Sequence, residues 1–106
     1  MAKYLFKACY TPEGMKGLKQ AGAAARVTVI ADMCTQLGGS LDSFNFAFGD
    51  VDVYALCDLP DDETAAAVAF AIGSSGAVQL STVKLLTPEQ ADAAMGRAVN
   101  YRPPGT

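Results

Sequence analysis

The sequence contains no histidine, and this absence excludes several kinds of active site. Zinc sites with imidazole ligands, haem held by a proximal histidine and Ser-His-Asp triads all need that side chain. A nucleophilic cysteine would also lack its usual base, because no imidazole is present to take the thiol proton. The common histidine-dependent chemistries are therefore removed from consideration.

Positive charge is also scarce. The chain has only eight Lys and Arg residues against eleven Asp and Glu, and the cations form no run. A nucleic-acid surface needs several cations to neutralise neighbouring phosphates. The sequence also lacks an apolar stretch of about 18 residues and an apolar signal segment after Met1. These absences predict a cytoplasmic protein that binds neither nucleic acid nor a membrane.

What the sequence does contain is enough apolar material for one core. Apolar residues make up 51% of the 106 residues and charged residues 18%, a balance typical of a folded chain of single-domain length. We expect one domain over residues 1–98 and an irregular tail over 99–106. Cys9, Cys34 and Cys57 are odd in number and lie in apolar segments, which predicts three reduced, buried thiols.

Changes in hydrophobic period divide the chain into strands and helices. Ile30 and Cys34 belong to a stripe with helical spacing, whereas Phe44, Phe46 and Phe48 alternate as in a strand. The first half of the chain predicts a strand over 3–10, a helical segment that begins at Thr11-Pro12 and is weakened by glycines, and a helix over 23–37. A hairpin follows, with strands over 40–48 and 51–59 and a turn at Gly49-Asp50. The remaining elements are a helix over 64–72, a strand over 78–85 and a helix that begins with a capping box at Thr87–Gln90.

The order β-α-β-β-α-β plus a C-terminal helix predicts an α+β fold of the ferredoxin-like type, with a four-stranded antiparallel sheet and its helices on one face. The first three strands carry apolar residues on both faces of the pleat. The face away from the helices therefore needs a cover, and a second subunit is the simplest one. We expect a homo-oligomer, at least a dimer.

Four short segments resemble the GYD domain family: YTPEG at 10–14, FAFGDVDV at 46–53, LPDDE at 59–63 and LLTPEQ at 85–90. The resemblance covers about residues 3–95. It implies a small bacterial-type domain of the dimeric α/β-barrel kind, in which two ferredoxin-like sheets pack face to face, with an uncharacterised biochemical role. The signature glycine and aspartate map to Gly49 and Asp52, whereas Val51 occupies the position of the signature tyrosine.

The best polar constellation lies on the predicted third strand. Asp52 and Tyr54 are two residues apart and share a face of the pleat, and Asp58 lies further along that face. In a barrel interior, Asp52 would be the candidate acid or base, with Tyr54 donating to a substrate oxygen. The alternative is that Asp52 accepts backbone amides near the turn and Asp58 lies at the exposed strand end.

Isolated cations and aromatic residues give weaker candidates. Lys7 and Lys84 could hold a substrate carboxylate or extend to water from the margin of the sheet. Tyr10 and the phenylalanine stripe could line a cavity or fill the core. The glycine segments do not match a phosphate or dinucleotide loop, and the acids at 58–63 suit a helix N-terminus without a metal. We expect no metal and no cofactor.

Three functional hypotheses remain. The favoured one is a small-molecule-binding or accessory protein whose homo-oligomer encloses an apolar pocket on the sheet face, edged by Tyr10, Asp52 and Tyr54, with Lys7 available to a carboxylate-bearing ligand. The second is a cofactor-free enzyme of the dimeric α/β-barrel kind that uses Asp52 for proton abstraction, isomerisation or oxygenation. The third is a purely structural assembly protein.

Overall fold

A computed structural model describes all 106 residues and contains four strands and four helices. In chain order they are β1 (Ala2–Tyr10), α1 (Pro12–Ala21), α2 (Ala23–Gln36), β2 (Ser40–Phe46), β3 (Val53–Leu59), α3 (Asp62–Ser74), β4 (Val78–Leu85) and α4 (Pro88–Met95). The strands form one sheet in the order β2-β3-β1-β4, and every neighbouring pair is antiparallel. The predicted ferredoxin-like α+β fold with a C-terminal helix is confirmed, whereas dimerisation stays a prediction.

Helix starts follow from local capping residues. The Asp61 side chain accepts a hydrogen bond from the Thr64 backbone N–H at 2.8 Å and opens α3. Thr87 and Gln90 exchange side-chain and backbone bonds of 2.9 and 3.1 Å, which forms the predicted capping box of α4. The Thr11 side chain caps α1 by accepting a hydrogen bond from the Gly14 backbone N–H at 3.2 Å. These bonds satisfy donors that the first turn of a helix otherwise leaves free.

Two glycines fix how α1 sits in the fold. Gly22 has a φ of 93° and separates α1 from α2, because this left-handed conformation interrupts a helix. At Gly14, α1 passes so close to the residue preceding β4 that a Cβ would lie 1.9 Å from the Ala77 carbonyl oxygen. The Thr11 N–H donates to that same oxygen at 3.0 Å. The glycine of the YTPEG segment is therefore required by packing.

The connection between β2 and β3 is longer than the predicted two-residue turn. β2 ends at Phe46 and β3 begins at Val53, so the strand boundaries predicted at 48 and 51 are wrong. The backbone N–H of Asp52 donates to Ala8 on β1 at 2.9 Å, and the residues before it pair with no strand. Phe48, predicted as a strand residue, lies fully exposed in this loop.

The core lies between the sheet and the helices. All buried side chains are apolar, aromatic or thiol groups: Tyr4, Phe6, Ala8, Ile30, Cys34, Val53, Ala55, Cys57, Leu59, Ala65, Val68 and Val78. On β1 the even-numbered residues face the helices, and on β3 the odd-numbered residues do. Cys34 and Cys57 are buried as predicted, but Cys9 is only half-buried because its odd position on β1 turns it to the other face.

The C-terminal part of the chain projects from this body. α4 has no buried residue and no substantial packing contact with another element, and no helix or strand follows Met95. The radius of gyration is 16.8 Å, with extents of 55 × 35 × 23 Å. A compact chain of this length has a radius of gyration of about 13 Å. None of the four helices combines the length and apolar content needed to cross a membrane.

Candidate functional site

The sheet face away from the helices, here called the open face, carries two of the predicted site residues. Lys7 on β1 lies directly opposite Tyr54 on β3, and Ser81 on β4 is its neighbour on the other side. Lys7 is half-buried and forms no ion pair, and Tyr54 is 41% exposed. The structure therefore brings a free ammonium and a phenol together on this face.

Asp52 lies just before β3 and has a structural contact. Its Oδ2 accepts a hydrogen bond from the backbone N–H of Tyr10 at 2.9 Å, while its own backbone bonds to Ala8 and Ala47. The carboxylate thus replaces a carbonyl acceptor where the β1–β3 ladder ends. This geometry agrees with the backbone-acceptor interpretation, and the acid or base role of Asp52 stays a prediction.

Tyr10 and Tyr54 lie on opposite faces of the sheet. The register pairs Lys7 with Tyr54, so the even-numbered residues of β3 share a face with the odd-numbered residues of β1. Tyr10 is even-numbered on β1 and points to the helices with Tyr4 and Phe6. A pocket edged by both tyrosines is therefore not formed within one chain.

Asp58 belongs to an ion-pair cluster on the open face that the sequence did not suggest. Lys3 Nζ lies 2.5 Å from Asp42 Oδ2 and 3.4 Å from Asp58 Oδ2. The hydrogen bond from Lys3 lowers the pKa of the Asp42 carboxyl, and the same bond raises the pKa of Lys3. Asp58 Oδ1 is buried without a partner. Asp58 is therefore half-buried and paired, not an exposed strand end.

Lys84 is also paired, on the helix side of the sheet. Its Nζ lies 2.9 Å from Asp62 Oδ1, and the Tyr4 hydroxyl donates to the same oxygen at 2.5 Å. The bond to Asp62, with burial as a second cause, raises the pKa of Tyr4 to about 12. The bonds from Tyr4 and Lys84 lower the pKa of Asp62. This network makes Lys84 a structural cation at the start of α3.

An apolar cavity of about 40 Å³, here called the inner cavity, lies between the sheet, α2 and α3. The two helices have no substantial contact with each other, which leaves a gap above β1 and β3. Fourteen of its fifteen lining residues are hydrophobic, and the one exception is Arg26 on α2. Arg26 is thus the only charged side chain that lines the inner cavity.

A second cavity of about 300 Å³, here called the outer cleft, lies between α1, α2 and the start of β4. Its apolar wall includes Leu18, Ala25 and Val29, and Glu13 is its only acidic lining residue. Tyr10, Arg26 and Val78 line both the outer cleft and the inner cavity. The two spaces therefore adjoin, and these three shared residues lie between them.

The two buried thiols form part of the inner cavity wall. Cys34 and Cys57 both line it, with their sulfur atoms 3.7 Å apart. Burial raises the pKa of both thiols, that of Cys57 to about 12. At neutral pH both groups are protonated and serve as small apolar surfaces, not nucleophiles.

Sequence reasoning missed Arg26, although one signal was available. An arginine in an alanine-rich helix is usually solvent-exposed. However, Arg26, Ile30 and Cys34 are spaced by four residues, and the last two are the buried residues of α2. Arg26 therefore continues the buried stripe by one helical turn.

The sheet order, the strand directions and the helix-covered face define an α+β domain of ferredoxin-like architecture. Within this class, the family model of the GYD domain matches residues 4–95, so the chain belongs to the GYD domain family. No curated protein and no solved structure matches the chain. The family match confirms the resemblance of the four segments and names no ligand or reaction.

Proposed function

We propose that the protein binds a small molecule and works as a homo-oligomer. The observation that supports binding is the pair of adjoining cavities under α1, α2 and α3, with apolar walls and few polar groups. Ligand sites are typically concave, mostly apolar and furnished with a small number of polar groups. The volume of the outer cleft, about 300 Å³, lies at the lower end of the range for such sites.

The cavity lining favours binding over catalysis. Cys34 and Cys57 are protonated thiols, and Glu13 lies at the rim, where it pairs with Lys16 at 3.8 Å. No acid–base pair faces the inner cavity. Asp52, the candidate base, is a backbone acceptor outside both cavities. No contact in the structure favours the enzyme hypothesis.

The open face supports the proposed oligomer. Leu5, Leu56 and Val83 lie side by side on β1, β3 and β4, and they form an apolar row across three strands. The ion-pair cluster of Lys3 flanks this row on one side, and Lys7 with Tyr54 flanks it on the other. A second copy packed on this face would bury the row and enclose Lys7 and Tyr54, two of the residues that the sequence predicted at a sheet-face pocket.

Filling the outer cleft tests the binding function. Ala25 lines the cleft and is exposed, so Ala25→Trp is expected to fill it without disturbing the core. The matched control is Ala24→Trp, because Ala24 is also exposed on α2 but does not line the cleft. Titration calorimetry with 1-decanol is expected to show binding by the wild type and by Ala24→Trp, and none by Ala25→Trp. Absence of decanol binding by the wild type would refute the proposed site.

Light scattering at micromolar concentration tests the oligomer. We expect a mass of at least twice the 11.0 kDa of the chain. Leu56→Glu places a charge in the apolar row and is expected to give monomers, because a buried unpaired carboxylate disfavours association. Phe70→Glu, on an exposed position of α3, is the control and should leave the mass unchanged. A monomeric wild type would contradict the proposal.

A further inference from the structure

We infer that the ligand of the two cavities is a small carboxylic acid with an apolar body, and that Arg26 binds its carboxylate. This inference depends on the binding function proposed above and adds the chemical class of the ligand. The apolar body would occupy the outer cleft and extend towards the inner cavity, with the carboxylate at the residues that line both spaces.

Arg26 has a charge that the protein does not compensate. The side chain is half-buried, lines both cavities, and forms neither an ion pair nor a hydrogen bond with any other residue of the chain. Removing a cation from water without a partner is unfavourable. A carboxylate would supply that partner, since the planar guanidinium can donate two parallel hydrogen bonds to its two oxygens.

Tyr10 is a second candidate donor. It lines both cavities together with Arg26, and its hydroxyl makes no hydrogen bond with the protein. A tyrosine hydroxyl can donate to an anion that a guanidinium also binds. Apart from these two groups and Glu13 at the rim, the walls of both cavities are apolar or glycine. The lining therefore matches one anionic group attached to an apolar body.

The charge balance favours a carboxylate over a phosphate. A phosphate monoester carries close to two negative charges at neutral pH. The cavities offer one cation, and Glu13 adds a negative charge to the outer cleft. One carboxylate matches the single charge of Arg26 and does not add uncompensated negative charge near Glu13.

The test compares decanoate with 1-decanol, which share an apolar chain and differ in charge. Titration calorimetry at neutral pH is expected to show that the wild type binds decanoate about 10-fold more tightly than decanol, as a hydrogen-bonded charge pair would give. Arg26→Gln is expected to lose this preference, so that the variant binds decanoate and decanol equally. A thermal melt followed by circular dichroism shows that the variant is folded.

Two further variants separate the effect of charge in the cavity lining from the effect of the donor geometry of Arg26. Arg26→Lys keeps the charge without the two-pronged donor geometry and should retain part of the preference. Glu13→Gln removes the only acid of the lining and should strengthen decanoate binding or leave it unchanged. Equal binding of decanoate and decanol by the wild type would overturn the inference while leaving the binding function in place. A preference that persists in Arg26→Gln would overturn the role of Arg26, and binding of neither compound would refute both proposals.

Discussion

The two faces of the sheet are built from alternate residues of the same strands, yet they serve different purposes. On the helix side, Tyr4, Cys57 and Leu59 are at most 2% exposed. On the open face, Lys3 and Lys7 alternate with Leu5, and each is only half-buried. The covered face thus forms the core and the floor of the cavities, while the open face carries both charged and apolar side chains. One strand can contribute to both faces because its successive side chains point to opposite sides of the sheet.

The same contrast applies to the polar networks of the two faces. On the covered face, Tyr4 and Lys84 meet Asp62, which ties β1 and β4 to the start of α3. On the open face, Lys3 joins Asp42 of β2 and Asp58 of β3, all within the sheet. One network fixes a helix to the sheet, and the other fixes strands to one another.

Thiol reactivity should show the largest difference between the faces. Cys9 lies half-buried on the open face, whereas burial raises the pKa of Cys57 on the covered face to about 12. At pH 8 we expect Cys57 to react with an aromatic disulfide on the order of 1,000-fold more slowly than an ordinary thiol, because so little thiolate is present. Cys9→Ser should remove the fastest labelling phase. Equally fast labelling of Cys34 and Cys57 would show that the core opens readily.

Truncation of one side chain on each face should differ by several kcal/mol. Leu59→Ala, at a fully buried position, is expected to lower the free energy of unfolding by about 2–5 kcal/mol. Val83→Ala, at a position 38% exposed in the single chain, should cost about 1 kcal/mol or less in the monomeric Leu56→Glu background, where no second copy covers the open face. Denaturant titration in that background measures both. An equal loss at Val83 would mean that its side chain is packed as tightly as that of Leu59.

The Asp52 side chain accepts a hydrogen bond from the Tyr10 backbone at the end of β1. Replacing Asp52 should therefore have an intermediate effect on the free energy of unfolding. Asp52→Asn weakens the bond to the Tyr10 N–H and is expected to lower stability by about 1–2 kcal/mol without changing decanol binding. Asp50→Asn, in the exposed loop, is the matched control and should be neutral. Unchanged stability with loss of decanol binding would instead support a direct role of the Asp52 carboxylate in ligand binding.

A final expected effect is a pH dependence specific to the covered face. Because the pKa of Tyr4 is raised to about 12, its protonated form is favoured by folding, and its contribution to stability is complete below pH 10 and lost between pH 10 and 12. The stability difference between the wild type and Tyr4→Phe should therefore shrink over this interval in denaturant titrations. A constant difference for Tyr4→Phe would contradict the assignment.

Much of the fold could be predicted because its signals are local. The helix caps at Asp61 and Thr87 and the four strands follow from residues within a few positions of each other. The end of β2 could not be predicted in this way, because the alternation of Phe44 and Phe46 continues to Phe48. Pairing of Asp52 with β1, a contact distant in sequence, decides where the ladder stops.

The site was harder to predict because it depends on register and on helix placement. Placing Tyr10 and Tyr54 on opposite faces required knowing that Lys7 pairs with Tyr54, which neither strand reveals alone. The cavities result from the gap between α2 and α3 and from the break at Gly22, and both are properties of packing. The spacing of Arg26 from Ile30 and Cys34 was visible in the sequence, but only the packing of the helices shows that Arg26 lines both cavities.

The double attachment of α1 has a consequence for redesigning this protein. At one end, Gly14 and Thr11 hold the helix against the Ala77 carbonyl, and at the other, Gly22 joins it directly to α2. Both attachments are made largely by the backbone, so changes to the side chains that face the outer cleft alter its lining without moving its walls. Leu18 and Val29 can therefore be varied in a library to select new ligands while the frame of the cleft stays the same.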